Sequence, residues 1–370
     1  MYFVPDKDLR DYLLDDLTEL FLKNGSRIGD FNLPKKSSAS HSISGNRLID
    51  EELAYDTREL LLESENLMAS LNDEQLNAFY SITETVLNNK PGFFFVSGYG
   101  GTGKTYLWNA IISYLRAHEH IVLTVAASGV ASLLLPGGRT AHSRFKIPCD
   151  LEEGSVCDIK RGSMLAELVK KTSLVIWDEA LMTHRTAFET LNRTFQDLLS
   201  TEIEATNAPF GGKVVVLRGD PRQILPVIEG GTRQQIVNAA IINSPLWSSV
   251  QILKLTSNMR LRSAGLSKED ANELELFSKW ILDIGEGKIP AISKQGETEA
   301  TWVQIPNDLL LTTNGDKIAH IVENVYENLS ERYMDPSYLR ERAILTPTND
   351  TVDAINNYIV YLIPGEAKHI

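Results

Sequence analysis

Through the middle of the chain, short apolar runs alternate with longer stretches of helical spacing. The runs "FFFVS", "HIVLTVAA", "SLVIWDE", "KVVVLRGD" and "VQILKL" are rich in Val, Ile and Phe. Runs of that length with helical patterns between them predict strands of a mostly parallel sheet with helices on both faces, an α/β layout. This region extends from residue 71 to 262. Ahead of it, Leu9, Leu13, Leu17, Leu20 and Phe21 fall at helical spacing and Gly25 stops the pattern, which predicts an amphipathic helix over 1–25. Residues 26–47 turn to Ser, Lys, Pro and Gly and read as a flexible linker, and 48–70 as a helical lead-in. Beyond 262 comes a helical connector containing "NELELFSKWILDIGEG". It leads to "RAILTPTNDTVDAINNYIVYLI", the expected first strand and helix of a second α/β unit over 263–370 whose remainder is absent.

Composition changes this picture little. The 370 residues carry 43% apolar side chains, enough for sizeable cores in about two domains. No run approaches the 18 or more apolar residues of a membrane span, and the first residues lack a secretory pattern, so a soluble, intracellular protein with no membrane partner is expected. A net charge of -13 argues against a protein that is basic overall. It leaves room for a locally basic groove that grips and releases a nucleic acid. Cys149 and Cys157 are too few for a disulfide framework and too far apart for a CxxC motif. They read as structural thiols, the alternative being a zinc role with His142 as a third ligand.

The candidate chemistry begins at the end of the first run. Gly98, Gly103, Lys104 and Thr105 fit G-x-x-x-x-G-K-[ST], and Gly100, Gly101 and Thr102 complete the loop. Residues without a Cβ let such a loop turn its N–H groups inward onto phosphate oxygens, and the helix after it adds its positive end. Lys104 would neutralise the β- and γ-phosphates, and the Thr105 hydroxyl would hold Mg²⁺. The run "SLVIWDEA" supplies Asp178 for the metal and Glu179 to orient and deprotonate the attacking water. Gln223, after the next strand, could sense the γ-phosphate; taken by itself it is an ordinary loop residue. Arg260 in "LTSNMRL" is either a cation for transition-state charge or one half of an exposed salt bridge.

Taken in order, "LNDEQLNAF", "GYGGTGKT", "AASGVASLLLPGGRTAHSRFKIP", "IWDEALM", "GDPRQILPV", "LTSNMRL" and "ILTPTNDTVDAIN" resemble the motif series of the petite integration frequency family of superfamily-one DNA helicases. The branch it most resembles is the one carried by Helitron-type transposons in plants. The resemblance implies two RecA-like P-loop NTPase domains with ATP between them, the second only begun here. It implies 5′ to 3′ movement on single-stranded DNA, with DNA junctions as further partners. It also implies roles in repair, recombination and telomere maintenance in the nucleus, with action in the mitochondrion as an alternative. By position, Gln75 would bond the adenine, Gln223 the γ-phosphate, and Arg260 would be an arginine finger. The stretch from Ser128 to Pro148 would line the DNA path, with Thr140, His142 and Ser143 for backbone contacts. Phe145 would stack on bases under this likeness and is a core aromatic otherwise.

Two departures stand out. The family usually reads Gly-Gly-Asp-Phe-Arg-Gln at the third strand, where this chain has Arg218, Gly219, Asp220, Pro221, Arg222 and Gln223. Pro221 predicts a modest shift of Gln223, and the sequence assigns no role to Arg218. The late "ALSR" motif with its second arginine finger does not occur either, and such a finger is worth about 10³–10⁵ in turnover. An ATP-dependent DNA helicase is therefore the leading expectation. A noncatalytic ATP- or DNA-binding remnant of a transposon helicase is the alternative. A metabolic or signalling P-loop enzyme would leave "AASGVASLL" and "TAHSRFKIP" unexplained.

Overall fold

The computed structural model describes residues 45–200, 208–220, 222–259, 267–293 and 302–365, together with parts of 10–34. The chain divides into two compact units, Met1–Lys279 and Trp280–Ile370.

The first unit is built on one six-stranded sheet with the order β3-β2-β4-β5-β1-β6. Its strands are β1 (Gly92–Gly98), β2 (Ile121–Ala126), β3 (Arg139–Thr140), β4 (Thr172–Asp178), β5 (Val214–Gly219) and β6 (Gln251–Leu255). Every ladder is parallel. All five strands expected from the apolar runs form, and β3 adds a two-residue edge strand too short to leave a sequence signal.

Alternation along each strand divides the core in two. Phe93, Phe95, Val175, Trp177, Val215 and Leu217 face one layer. Phe94, Val96, Leu174, Ile176, Val214 and Val216 face the other. Burial on both faces explains why the runs are apolar throughout instead of alternating with polar residues. Helices α1 (Arg47–Leu53), α2 (Thr57–Ala69), α3 (Asp73–Leu87), α4 (Lys104–Ala117), α5 (Met164–Lys171) and α6 (Arg185–Leu199) surround the sheet. Buried side chains of α3 and α4 pack on the second layer, and those of α5 and α6 on the first.

The lead-in helices belong to this body. Asn46 caps α1 and its Nδ2 donates to Met164 O at 2.8 Å. Glu52 is buried between Arg144 (2.6 Å) and Arg116 (3.6 Å). Within the expected linker, Ile28–Asp30 forms a single 3₁₀ turn, and 35–44 lie outside the described residues. In the expected first helix, Arg10, Leu13, Leu14, Leu17, Thr18 and Phe21 are helical, while Leu9, Leu20 and Gly25 lie outside the described residues.

The second unit contains helices Lys317–Val325, Leu329–Arg332, Pro336–Arg340 and Asn349–Leu362. The helix expected from "NDTVDAINNYIVYL" is present, but the strand expected ahead of it is not. Residues 343–346 take no regular structure and Leu345 is 93% exposed. A strand exists by virtue of its ladder, and among the described residues nothing pairs with this segment. No described helix is long and apolar enough to cross a membrane.

Candidate active site

At the carboxyl ends of β1, β4 and β5 the topology brings three segments together. Because β5 lies between β4 and β1, the loop leaving β1 and the acidic end of β4 flank the same strand end. The carboxyl edge of an open parallel sheet is where such folds bind their ligands.

The loop from Gly98 to Thr105 leaves β1 and enters α4 through Gly103, which adopts φ +74. A Cβ at Gly103 would lie 2.3 Å from Gln75 Nε2, so both the backbone angle and the space demand glycine. No side chain caps α4, which leaves the N–H groups of its first turn to the loop's concavity. Lys104, 6% exposed, folds back so that Nζ donates to Gly98 O (2.6 Å) and Tyr99 O (2.9 Å). Burial, reinforced by the Arg218 charge, holds its ammonium below the usual lysine range. Thr102 turns inward, its hydroxyl donating to Tyr99 O at 2.9 Å.

Asp178 closes β4 and is buried, and that burial pushes its carboxyl above the ordinary carboxylate range against the opposing charge of Arg218. The Glu179 N–H donates to Asp178 Oδ1 at 2.8 Å. Glu179 itself sits at φ 51, a left-handed conformation that costs a non-glycine residue on the order of 1–3 kcal/mol. Its carboxylate lies within 3.9 Å of Arg218, and its charge acts on Lys104 of the loop. Arg218, next to last in β5, lies on the same face as Asp178. Its Nη1 donates to Asp178 Oδ2 (2.7 Å) and Thr105 Oγ1 (3.4 Å), and Nη2 is 3.9 Å from Glu179 Oε1.

Sequence reasoning left Arg218 without a role, although the parity of β5 carries the signal. Val214 and Val216 face the α4 layer, so residue 218 points to that side, as does Asp178 after Leu174 and Ile176.

Gln75 is held by hydrogen bonds within the protein. Its Oε1 accepts from the Asn72 N–H (3.0 Å) in a capping box at the start of α3, and its Nε2 donates to Thr102 O (3.1 Å). With both ends of its amide engaged, it braces the phosphate loop. The same helix start grips the segment after β6. Glu74 accepts from the Thr256 N–H (2.7 Å) and the Ser257 N–H (3.2 Å), and the Met259 N–H donates to Gly101 O (2.8 Å). The chain is thus tied to the loop one residue before Arg260, which itself lies outside the described residues. Gln223 is exposed, with its backbone N–H donating to Asp220 O at 2.9 Å. Pro221 lies outside the described residues.

Among the residues expected to meet DNA, Phe145 is corrected outright. It is fully buried, with its ring edge-on to Phe195 at 5.6 Å, because the short helix Ala141–Phe145 turns it into the core. Thr140 caps that helix through the Ser143 N–H (3.3 Å), and the Ser143 side chain stays exposed. His142 is half-buried, which pushes its imidazole below the ordinary range and keeps it neutral at pH 7. The exposed apolar side chains of the same stretch are Val130, Leu133 and Leu134. Cys157 is buried and Cys149 exposed. A separate cavity of about 560 Å³, lined by Lys90, Lys170, Lys171 and Lys213 among others, lies at the amino ends of β4 and β5, the opposite edge of the sheet.

The sequence profile of the PIF1-like helicase family matches residues 70–295, which holds the whole sheet and every group just described. The chain belongs to the PIF1-like helicase family. Among relatives, the ATP-dependent DNA helicase Pif1 of Psychrobacter sp. is 30% identical over 171 residues, 46% of this chain and 25% of that protein. The ATP-dependent DNA helicase PIF1 of Candida albicans is 31% identical over 138 residues, 36% of this chain and 15% of that protein. The match therefore spans a quarter or less of these two relatives. Solved Pif1 structures align with part of the chain. The Candida albicans crystal structure aligns with 26% identity and a TM-score of 0.46, covering 60% of this chain and 45% of that one. Bacteroides Pif1 bound to single-stranded DNA aligns with 23% identity and a TM-score of 0.45, covering 60% and 47%.

Proposed function

We propose that this PIF1-like chain carries the ATP-hydrolysing site of a DNA helicase and couples it to 5′ to 3′ movement along single-stranded DNA. The observation that carries the reading is the convergence of the Gly98–Thr105 loop, the Asp178–Glu179 pair and the Met259 anchor at one sheet edge, in a chain of this family.

In that reading the N–H groups of the loop and of the first turn of α4 hold the phosphates. Lys104 exchanges the carbonyls of Gly98 and Tyr99 for phosphate oxygens. Glu179, held at the strand end by its left-handed backbone, accepts a proton from the water whose oxygen attacks the γ-phosphorus, while the bond from phosphorus to the bridging oxygen breaks. Thr105 Oγ1 and the Asp178 carboxylate are hard oxygen donors close enough to share one guanidinium nitrogen, a set that suits magnesium. When bound, that ion neutralises charge on the phosphate oxygens. The exposed apolar side chains Val130, Leu133 and Leu134 offer a sequence-independent surface to bases, a role that the buried Phe145 does not fill.

The finer reading comes from the motif series. It points to the Helitron-type branch and to nuclear repair, recombination and telomere maintenance, with DNA junctions among the substrates. A second reading, a chain that binds nucleotide and DNA without turnover, is favoured by one observation: Arg218 already occupies the contacts between Thr105 and Asp178.

Steady-state ATP hydrolysis with Mg²⁺, with and without a poly-thymidine strand, tests the two. Stimulation by DNA that Lys104→Ala abolishes, a loss of at least about 10²-fold, supports the motor. Nucleotide binding with no turnover supports the second reading, and absence of any nucleotide binding removes both.

A further inference from the structure

Arg218 is a charged side chain whose place the phosphate loop and acidic pair do not by themselves explain. Its side chain is only 13% exposed. Nη1 makes the 2.7 Å bond to Asp178 Oδ2 and the 3.4 Å bond to Thr105 Oγ1, and Nη2 lies 3.9 Å from Glu179 Oε1. Its Nε is a buried donor with no hydrogen-bond partner among the described residues. These are the two oxygens that suit a divalent ion. Magnesium needs oxygens at about 2.0–2.1 Å in near-octahedral array, so an ion and this guanidinium cannot hold the same pair at once.

The charge balance follows the same line. Among the charges that act on Lys104, Arg218 is the cation set against Asp220, Glu179 and Asp178. Without Arg218, Lys104 faces those three carboxylates alone, an excess of negative charge that repels a polyphosphate and calls for a metal to offset it. A guanidinium stays protonated at any pH of interest, and its fork of donors matches phosphate oxygens two at a time. The uncommitted Nε gives Arg218 a donor in hand when the phosphates replace Thr105 and Asp178 as its partners.

We propose that Arg218 is a resident cation of this site, standing in for the divalent ion in binding, so that the chain holds nucleoside di- and triphosphates without metal. Magnesium then competes with Arg218 for Asp178 instead of being required for the nucleotide to stay. The inference rests on the reading of the site as a nucleotide site.

The test is a fluorescence titration of the full chain with an N-methylanthraniloyl derivative of ADP, in EDTA and in excess Mg²⁺, for wild type, Arg218→Ala and Arg218→Lys. For wild type the Kd should change by less than about 3-fold between the two buffers. Arg218→Ala should bind at least about 30-fold more weakly in EDTA and recover in Mg²⁺, and Arg218→Lys should fall between. A wild-type Kd that weakens by about 30-fold or more in EDTA overturns the proposal, and this arm needs no variant to fold. Metal-free binding by Arg218→Ala equal to wild type overturns it as well. Absence of binding in both buffers is a different result: it removes the nucleotide reading, and the proposal falls with it.

Discussion

Gly103 shows how few residue choices the phosphate loop leaves open. Its φ of +74 and the 2.3 Å approach of Gln75 Nε2 to any added Cβ act together. Gly103→Ala should therefore cost at least about 1–3 kcal/mol of stability and weaken nucleotide binding. Denaturant titration beside ADP binding checks both. Gln75→Ala should relieve only the steric part, because the backbone angle remains. The two cysteines give a sharper residue-scale test. Burial pushes the Cys157 thiol from 9.0 up to about 11, against a hydrogen bond from Thr194 that acts the other way. Ellman's reagent at pH 8 should modify Cys149 at once and Cys157 only on unfolding. Since the raised value favours the protonated thiol in the fold, Cys157 contributes its full stability below pH 9. That contribution, on the order of 2–3 kcal/mol, is lost as pH rises from about 9 through 11. A Cys157→Ala chain whose stability falls equally steeply over that window would contradict the assignment.

At the scale of elements, the start of α3 does more than cap a helix. One short segment, Asn72 to Gln75, braces the loop after β1 through Gln75 and grips the chain after β6 through Glu74. Two distant segments thus reach the carboxyl edge of the sheet as a unit. Helix α1 does comparable work on the other side. Glu52 is the shared partner of Arg144, on the helix that carries the DNA-facing candidates, and of Arg116 on α4. Removing it leaves two arginines buried without their carboxylate. Glu52→Ala should cost about 3–5 kcal/mol, read by urea denaturation. The linker reading of the residues before α1 fails at Asn46 for the same physical reason. Composition describes what a segment can bury by itself, and Asn46 is ordered by a capping bond and by Met164 O, which lies far along the chain.

For the whole molecule, the distribution of core decides where stability resides. In the first unit, β1, β4 and β5 are packed on both faces, whereas among the described residues of the second unit the buried apolar side chains are Val322, Leu329, Tyr338 and Ile355. Hydrogen exchange should accordingly be slowest by several orders of magnitude in 93–97, 174–177 and 214–217, and fast across 302–365; uniform protection of both regions would contradict this picture. The strands, their parallel sense and the phosphate loop were legible in the sequence because each is written locally. Apolar runs of strand length, the spacing of Gly98, Gly103 and Lys104, and the Asp178–Glu179 pair at a run's end need no knowledge of what lies opposite. The expected strand near Leu345 failed because a ladder requires a neighbour that local pattern cannot supply. Phe145 was ambiguous for a related reason: an aromatic beside polar residues reads alike whether a five-residue helix turns it outward or into the core. Arg218 is the clearest case. Its strand parity was in the sequence, but the sheet order that sets β5 between β4 and β1 was not. That order alone brings a guanidinium to the oxygens of Thr105 and Asp178, because long-range adjacency is fixed by packing and not by any run of neighbouring residues.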